Sequence, residues 1–364
     1  MNFDTTGLAL AAVCPSNKMI TDDKGMPSIY VQVGAQNLSD LLTGGDDTVH
    51  PAFRVSGVEQ PSLYIGKYQG IADANRIYSL PGVDPMVNVT LDTYEQYCRN
   101  KGFGHHCITA AEWAFLALWC KKNGTQPKGN NNYGKDTTET ARQAIPVPGV
   151  LDSGRTARVL TGTGPLSWRH DGTIDGICDL NGNVWEWTAG IRLVKGELQV
   201  IPYNNAADPD VDTSAASAQW RAIKAAATSW EDLFITPDGQ GTTAGSVKLD
   251  FVSSHWQWGA SITSLSDSAR SATFASTTST GLSATAKLYL QSMALLSEDG
   301  AAAEDYNGDY FWANNGAAER CAIRGGSWSN GAGAGVFCLA FHNPRSHSYW
   351  DIGGRPAFVK LETE

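Results

Sequence analysis

The chain has 364 residues, 42% of them hydrophobic and 10% aromatic, enough to bury a sizeable core; it exceeds the ~100–200 residues usual for one domain. Its formal net charge of -10 excludes phosphate-backbone binding through clustered Lys and Arg, so no nucleic-acid partner is expected. No apolar run approaches the ~20 residues of a membrane-spanning helix, so no membrane insertion is expected.

Residues 1–50 are rich in Gly, Asp and Thr and weakly periodic, and read as an N-terminal arm or small subdomain for assembly or attachment. The apolar stretch from Leu8 to Val13 has no basic leader, which makes a poor signal peptide. From Phe53 a strand pattern begins: Phe53, Val55, Leu63, Ile65 and Tyr68 alternate with polar residues around a turn at Gly57. Thr90 can cap a helix that carries Tyr94, Tyr97 and Cys98 and stops near Gly102. Thr109 can cap a second helix, with Glu112 three residues on as the partner of a capping box. Its apolar residues Trp113, Leu116, Ala117 and Cys120 predict one buried face. Lys121, Lys122 and Gly124 suit its C-terminus.

A polar loop follows at 123–136, and a Gly/Trp-rich loop at 160–178. A hairpin is expected at Ile191–Leu193, Lys195-Gly196 and Leu198–Ile201. Residues 204–320 are dominated by Ala, Ser and Thr and read as an insertion of mixed helix and loop, with a helix between Leu282 and Leu296. The seven cysteines are Cys14, Cys98, Cys107, Cys120, Cys178, Cys321 and Cys338, with no C-x-x-C pair. They read as free buried thiols of a chain made in a reducing cytoplasm.

Two segments carry most of the information. Asp179-Leu-Asn-Gly-Asn-Val-Trp-Glu-Trp187 holds carboxylates and a Gly turn in a short loop, an oxygen-rich arrangement of the kind a hard cation takes. The plainer reading is a Gly turn pinned by Asn and Asp, with Trp185 and Trp187 packed inside. The second segment runs from Arg324 to Pro356. Arg324-Gly325-Gly326-Ser327-Trp328 and Ile352-Gly353-Gly354-Arg355-Pro356 form its ends, and Val336-Phe337, Leu339 and Phe341 alternate like a strand with one buried face. Between these anchors Ser, Gly, Asn, His and Tyr resemble a contact-making surface loop. His170 beside Asp171 reads as a satisfied loop histidine, and no G-x-S-x-G elbow, P-loop or dinucleotide fingerprint appears.

DLNGNVWEW, RGGSW, the closing IGGRP, the helix TAAEWAFLAL and the strand SLYIGKYQ, in this order, resemble the formylglycine-generating enzyme (sulfatase-modifying factor) family. The resemblance covers roughly 53–200 and 320–360. It implies an α+β fold of the C-type lectin type, formylglycine-generating-enzyme subtype. Such a fold has little regular secondary structure, and here residues 51–364 would form one domain with the large insertion at about 204–320. The enzymes of that family hold copper through two cysteines, and the matching positions here are Asn330 and Gly335. A copper(I) site needs thiolates, so no catalytic residue is assigned.

The chain resembles more closely the variable proteins of diversity-generating retroelements, through ALWCKKNGTQPKGNNNYGKD, GPLSWRHDGT and RGGSWSNGAGAGVF…IGGRPA. In such proteins, carried by phages and bacteria, adenine mutation of a template turns Asn codons into many residues but never into Trp, Lys, Glu, Gln or Met. Residues 327–354 contain none of the last four, and Trp328 and Trp350 would then be scaffold. The resemblance implies a non-enzymatic, ligand-binding display protein. Its variable region would lie at about 327–354. Its candidate ligand-binding positions are Ser329, Asn330, Ala332, Gly333, Cys338, Ala340, His342, His347, Tyr349, Trp350 and Asp351. The implied partner is a protein or glycan on a target cell or virion. Display on a phage tail or cell surface, with oligomerisation open, is expected. The enzyme family's cation site maps onto Asp179 and Glu186 side chains and the Gly182 and Val184 carbonyls; no cofactor is required, and calcium is the one that these positions would take. The alternatives are a formylglycine-generating-enzyme-like oxidase and a carbohydrate-binding module of fixed specificity.

Overall fold

A computed structural model describes residues 5–361. The fold mixes helix and sheet, and sheets dominate. In chain order the elements used below are α1 (Thr5–Val13), β1 (Asn17–Thr21), β2 (Pro27–Gly34), β3 (Ser62–Gly66), α2 (Leu91–Arg99), β4 (His105–Cys107) and α3 (Ala110–Asn123). Then come β5 (Trp185–Val194), β6 (Glu197–Val200), β7 (Lys248–Val252), β8 (His255–Gly259), β9 (Arg270–Thr273) and α4 (Ala284–Ser292). The C-terminal part holds β10 (Tyr310–Ala313), β11 (Arg320–Gly325), β12 (Gly335–Asn343), β13 (Ile352–Gly354) and β14 (Pro356–Phe358).

The smaller sheet has the order β1-β2-β3-β14-β4, each neighbour antiparallel. Leu63 and Ile65 of β3 are buried, as their alternation predicts. The last strand lies between β3 and β4, with Ala357 opposite Ile65 on one side and His106 on the other. The segment expected as an arm contributes β1 and β2, and Val31 pairs with Ile65, so this part extends the sheet instead of standing apart. Helix α1 ahead of it buries none of its residues.

The larger sheet runs β9-β10-β12-β11-β5-β6-β7-β8. The hairpin β5–β6 pairs Ile191 with Val200 and turns at Lys195 and Gly196, whose φ of 47° and 81° are those of a type I′ turn. Residues 204–320 are strand-rich, contrary to the mixed helix and loop expected, with α4 their one helix of more than one turn. Strand β7 continues the sheet from β6 through Glu197 opposite Lys248. Trp256 and Trp258 on β8 are fully buried, and their indole N–H groups donate to the carbonyls of Phe311 and Leu295 at 2.9 and 2.8 Å. Regular structure is therefore more abundant than the resemblance implied.

Helix α3 is the central packing element. Thr109 Oγ1 accepts from Glu112 N, and Glu112 Oε2 accepts from Thr109 N, the capping box read from the sequence. Gly124 closes the helix in the left-handed conformation. One buried face underestimates its burial, because every residue from Ala110 to Leu118 is buried. The helix is wedged: Phe115 meets Phe53 edge-on at 4.8 Å, and Trp113 Nε1 donates to Val336 O on β12 at 2.8 Å.

Candidate functional site

The two informative segments meet on β5. On one edge Glu186 is opposite Arg324 and Trp187 opposite Ile323 of β11. On the other edge Trp185, Glu186 and Trp187 pair in parallel with Ile352, Gly353 and Gly354 of β13. Both ends of the C-terminal segment are therefore paired with β5, and Glu186 and Trp187 have a partner on each side. Glycine is required where they meet: a Cβ on Gly353 would lie 2.1 Å from the Met86 carbonyl oxygen.

The first segment is saturated with internal partners. Asp179, at φ 60°, accepts from Gly162 N at 2.8 Å. Burial pushes its carboxyl up to about 6. Asn181 donates to Pro127 O and accepts from Asn131. Glu186 forms a bidentate pair with Arg355 (2.8 and 3.0 Å), both fully buried. Arg355 also donates to the carbonyls of Gly66 and Cys178, at 2.8 Å each. Burial raises Glu186, opposed by Arg355 and Gln69.

The residues mapped to calcium do not fit a cation. The carbonyls of Gly182 and Val184 and Oε1 of Glu186 do converge, but on Gln69 Nε2, at 3.5, 3.1 and 3.0 Å. The Asp179 side chain is engaged elsewhere, and Arg355 already neutralises Glu186. A dication there would face an amide donor and no net negative charge.

The second segment divides. Ser329 and Ala332 are exposed on the loop before β12, and Tyr349 is 53% exposed on the loop after it. His342, His347 and Asp351 are half-buried. His347 stacks on Tyr349 with ring centroids 6.1 Å apart. With Trp185, Ile323, Asn343 and Ile352, these side chains and Tyr349 line a shallow cavity of about 230 Å³. Burial pushes His342 down to about 4, aided by His347 and Arg320, and its Nδ1 has no hydrogen-bond partner among the described residues. The cavity wall thus holds a neutral imidazole and aromatic side chains.

Other candidate positions are framework. Asn330 Oδ1 accepts from Ser327 N and Oγ at 2.8 and 2.9 Å, closing the turn. Gly333 is buried, and a Cβ on it would lie 3.1 to 3.2 Å from the rings of Tyr310 and Trp312. Trp350 meets Trp328 edge-on at 4.7 Å, and its carbonyl accepts from Arg158. Cys338 and Ala340, expected as ligand contacts, are both 0% exposed. They are small because they lie beneath Trp185, Trp187 and Trp312 in one apolar cluster, while Phe337, Leu339 and Phe341 fill the core on the other face. Strand β12 has β10 and β11 at its two edges, and both of its faces are buried.

The thiol of Cys338 is raised well above its ordinary value by burial. All seven cysteines are free and buried. Gly335, at one of the enzyme's cysteine positions, has a φ of 156°, and a Cβ there would lie 2.2 Å from the Asp309 carboxylate. Oδ2 of that carboxylate accepts from Phe337 N.

The sequence reading missed Tyr310 and Trp312. Strand β10 pairs in parallel with β12, Trp312 opposite Ala340, which brings these aromatics beside the candidate surface. Trp312 meets Trp185 edge-on at 5.7 Å and Tyr310 at 5.3 Å, and Tyr310 is 37% exposed. The available signal was the aromatic run Tyr310-Phe-Trp312, a composition that favours a strand.

No protein-family model and no curated protein sequence matches the chain. Among solved structures it is similar to Treponema denticola variable protein 1, at 12% identity over 94% of this chain and 99% of that one, with a TM-score of 0.34. It is also similar to the Major Tropism Determinant P3c variant, at 9% identity over 94% of this chain and 71% of that one, TM-score 0.29. The U1 variant of the same determinant gives 8% identity over the same shares, TM-score 0.30. These likenesses are weak.

Proposed function

We propose that the chain is a non-catalytic, ligand-binding display protein on a C-type-lectin fold of the formylglycine-generating-enzyme subtype, with its C-terminal surface diversified by a retroelement. The observation that carries this reading is the division of the C-terminal segment. Its two ends are paired with opposite edges of β5 at Glu186 and Trp187 and are buried, while Ser329, Ala332 and Tyr349 between them are exposed. Such positions accept new side chains without disturbing the frame. Tyr349 is the aromatic anchor of the surface, and smaller residues set its shape. Tyr310 and Trp312 supply a fixed aromatic border outside the mutable segment. The ligand is a protein or glycan on a target cell or virion. The seven unpaired thiols suit synthesis in a reducing cytoplasm before display on a phage tail or cell surface.

The test replaces Ser329, Ala332, His347 and Tyr349 together with residues that adenine mutation of Asn codons allows. The melting temperature should stay within ~2 °C of the parent, since surface changes rarely exceed a few tenths of a kcal/mol, and the set of bound proteins or glycans should change. Loss of folding would sink the reading. A glycan profile constant across natural copies of the gene would favour a fixed-specificity module instead. In the surrounding DNA, a near-copy of the codons for 324–356 that differs mainly at adenines should lie beside a reverse transcriptase gene.

A further inference from the structure

We infer that the side-chain amide of Gln69 is a built-in substitute for a metal ion in the 179–186 loop, so that this loop is held without calcium. Gln69 is fully buried. Its Nε2 lies within hydrogen-bond range of four oxygens: Asp179 O (3.2 Å), Gly182 O (3.5 Å), Val184 O (3.1 Å) and Glu186 Oε1 (3.0 Å). Three backbone carbonyls and one carboxylate gathered on a single point form the oxygen shell of a hard cation. Here the centre of that shell is an N–H donor. Two amide protons shared among four acceptors bring the carbonyls together as a cation would, over longer distances.

The orientation of the amide is fixed by a relay. Val159 N donates to Asn183 Oδ1 at 2.8 Å, and a backbone N–H can only donate. Asn183 must therefore turn its Nδ2 toward Gln69 Oε1, also 2.8 Å away. That contact leaves Gln69 Nε2 facing the oxygens, with no freedom to flip. Charge points the same way. Arg355 balances Glu186 through two hydrogen bonds, so the shell presents no net negative charge to a dication, and a neutral donor fits it. The sequence Gln69-Gly70 and the loop are about 110 residues apart, so only the fold brings them together.

The test uses the full chain with calcium chloride as the probe. Wild-type melts in EDTA and in millimolar calcium should coincide; a difference above ~2 °C would overturn the inference. Gln69→Met, of similar volume but without the donor, should lower the melting temperature by roughly 2–4 °C, and an unchanged value would overturn it. Gln69→Glu puts a second carboxylate at the shell. In EDTA it should melt below Gln69→Met, and millimolar calcium should restore at least half of the loss. A Gln69→Glu chain that is as stable as the parent in EDTA, or destabilised but indifferent to calcium, would overturn it. Should Gln69→Glu give no folded protein, the wild-type and Gln69→Met melts decide. None of these readouts depends on what the exposed surface binds.

Discussion

The loop at 179–187 and the segment at 327–351 are both rich in Trp, Gly and Asn, yet they use those residues in opposite ways. In the first, each polar side chain faces inward to a named partner: Asp179 to Gly162, Asn181 to Pro127, Asn183 to Gln69 and Val159, Glu186 to Arg355. In the second, the ends are pinned, while Ser329 and Tyr349 face solvent and His342 Nδ1 has no partner among the described residues. The lesson is that composition does not separate framework from surface. Enclosure does: the polar side chains of the first loop are buried and bonded within the protein, where an unpaired one would cost ~1–3 kcal/mol, whereas Ser329 and Tyr349 are solvated at little cost.

The comparison breaks most violently at Arg355. Arg355→Met removes the bidentate partner of Glu186 and leaves a buried, uncompensated carboxylate. We expect a loss of ~3–5 kcal/mol in unfolding free energy by urea titration, with no rescue by salt. A loss below ~1 kcal/mol would mean that the pair is not buried as described. The next effect falls inside the second segment itself. Cys338→Tyr is a change that the codon argument permits, but the site is closed beneath Trp185 and Trp187. Overpacking there should cost ~1–3 kcal/mol or more. A stable Cys338→Tyr chain would show that β12 can open its face to a ligand.

Much of the framework was legible in the chain. Thr109, Glu112 and Gly124 gave the central helix with both its ends, since capping is local chemistry. Lys195-Gly196 gave the hairpin turn. The strand pair at 248–259 was not legible, because its turn is built on Ser253 and Ser254 at φ 49° and 65°, and serine carries no strong signal for that conformation. The burial of Cys338 and Ala340 was hidden for a different reason. Small residues read as surface when their large partners, Trp185 and Trp312, come from distant parts of the chain. The Gln69 contacts were hidden in the same way: nothing near Gln69 in sequence announces four oxygens supplied by a loop over a hundred residues away.

Acid has a smaller effect and acts on the buried framework that surrounds both regions. His50 is fully buried, its Nδ1 accepts from Ala52 N and its Nε2 donates to Ser292 O at 2.8 Å, so it is held neutral. Burial pushes it down from 6.5 to about 4. His170 is likewise pushed down to about 4 by burial. A histidine lowered in the folded state stabilises above its unfolded value, and that stability drains away as pH falls from 6.5 toward 4. Glu95 and Asp179, raised by burial to about 7 and about 6, act in the opposite sense, since their penalty disappears as they take up protons. The His50→Gln chain keeps an amide donor for Ser292 and loses the titration. Its urea midpoint should fall less steeply than the parent's between pH 6.5 and 4. An identical slope would rule out His50 as a buried neutral imidazole.

The smallest effect is the most diagnostic for function. Tyr349 is 53% exposed, and its ring touches His347 while its carbonyl accepts from Asn88 N. The loop is held by its backbone carbonyls, with Trp350 O accepting from Arg158 and Asp351 O from Trp185 N, and by Arg345 bonded to Asp92, and Tyr349→Ala preserves all of these. The substitution should therefore change unfolding free energy by less than ~0.5 kcal/mol. On the proposed reading it removes the aromatic anchor, and loss of such an anchor typically costs ~2 kcal/mol or more in binding, roughly a thirtyfold weaker complex. A parallel Tyr310→Ala change tests the border outside the mutable segment in the same assay. Equal stability with weakened binding in both would extend the recognition surface across β10. A large stability loss from Tyr349→Ala would instead place the 344–351 loop with the framework, on the same footing as the 179–187 loop.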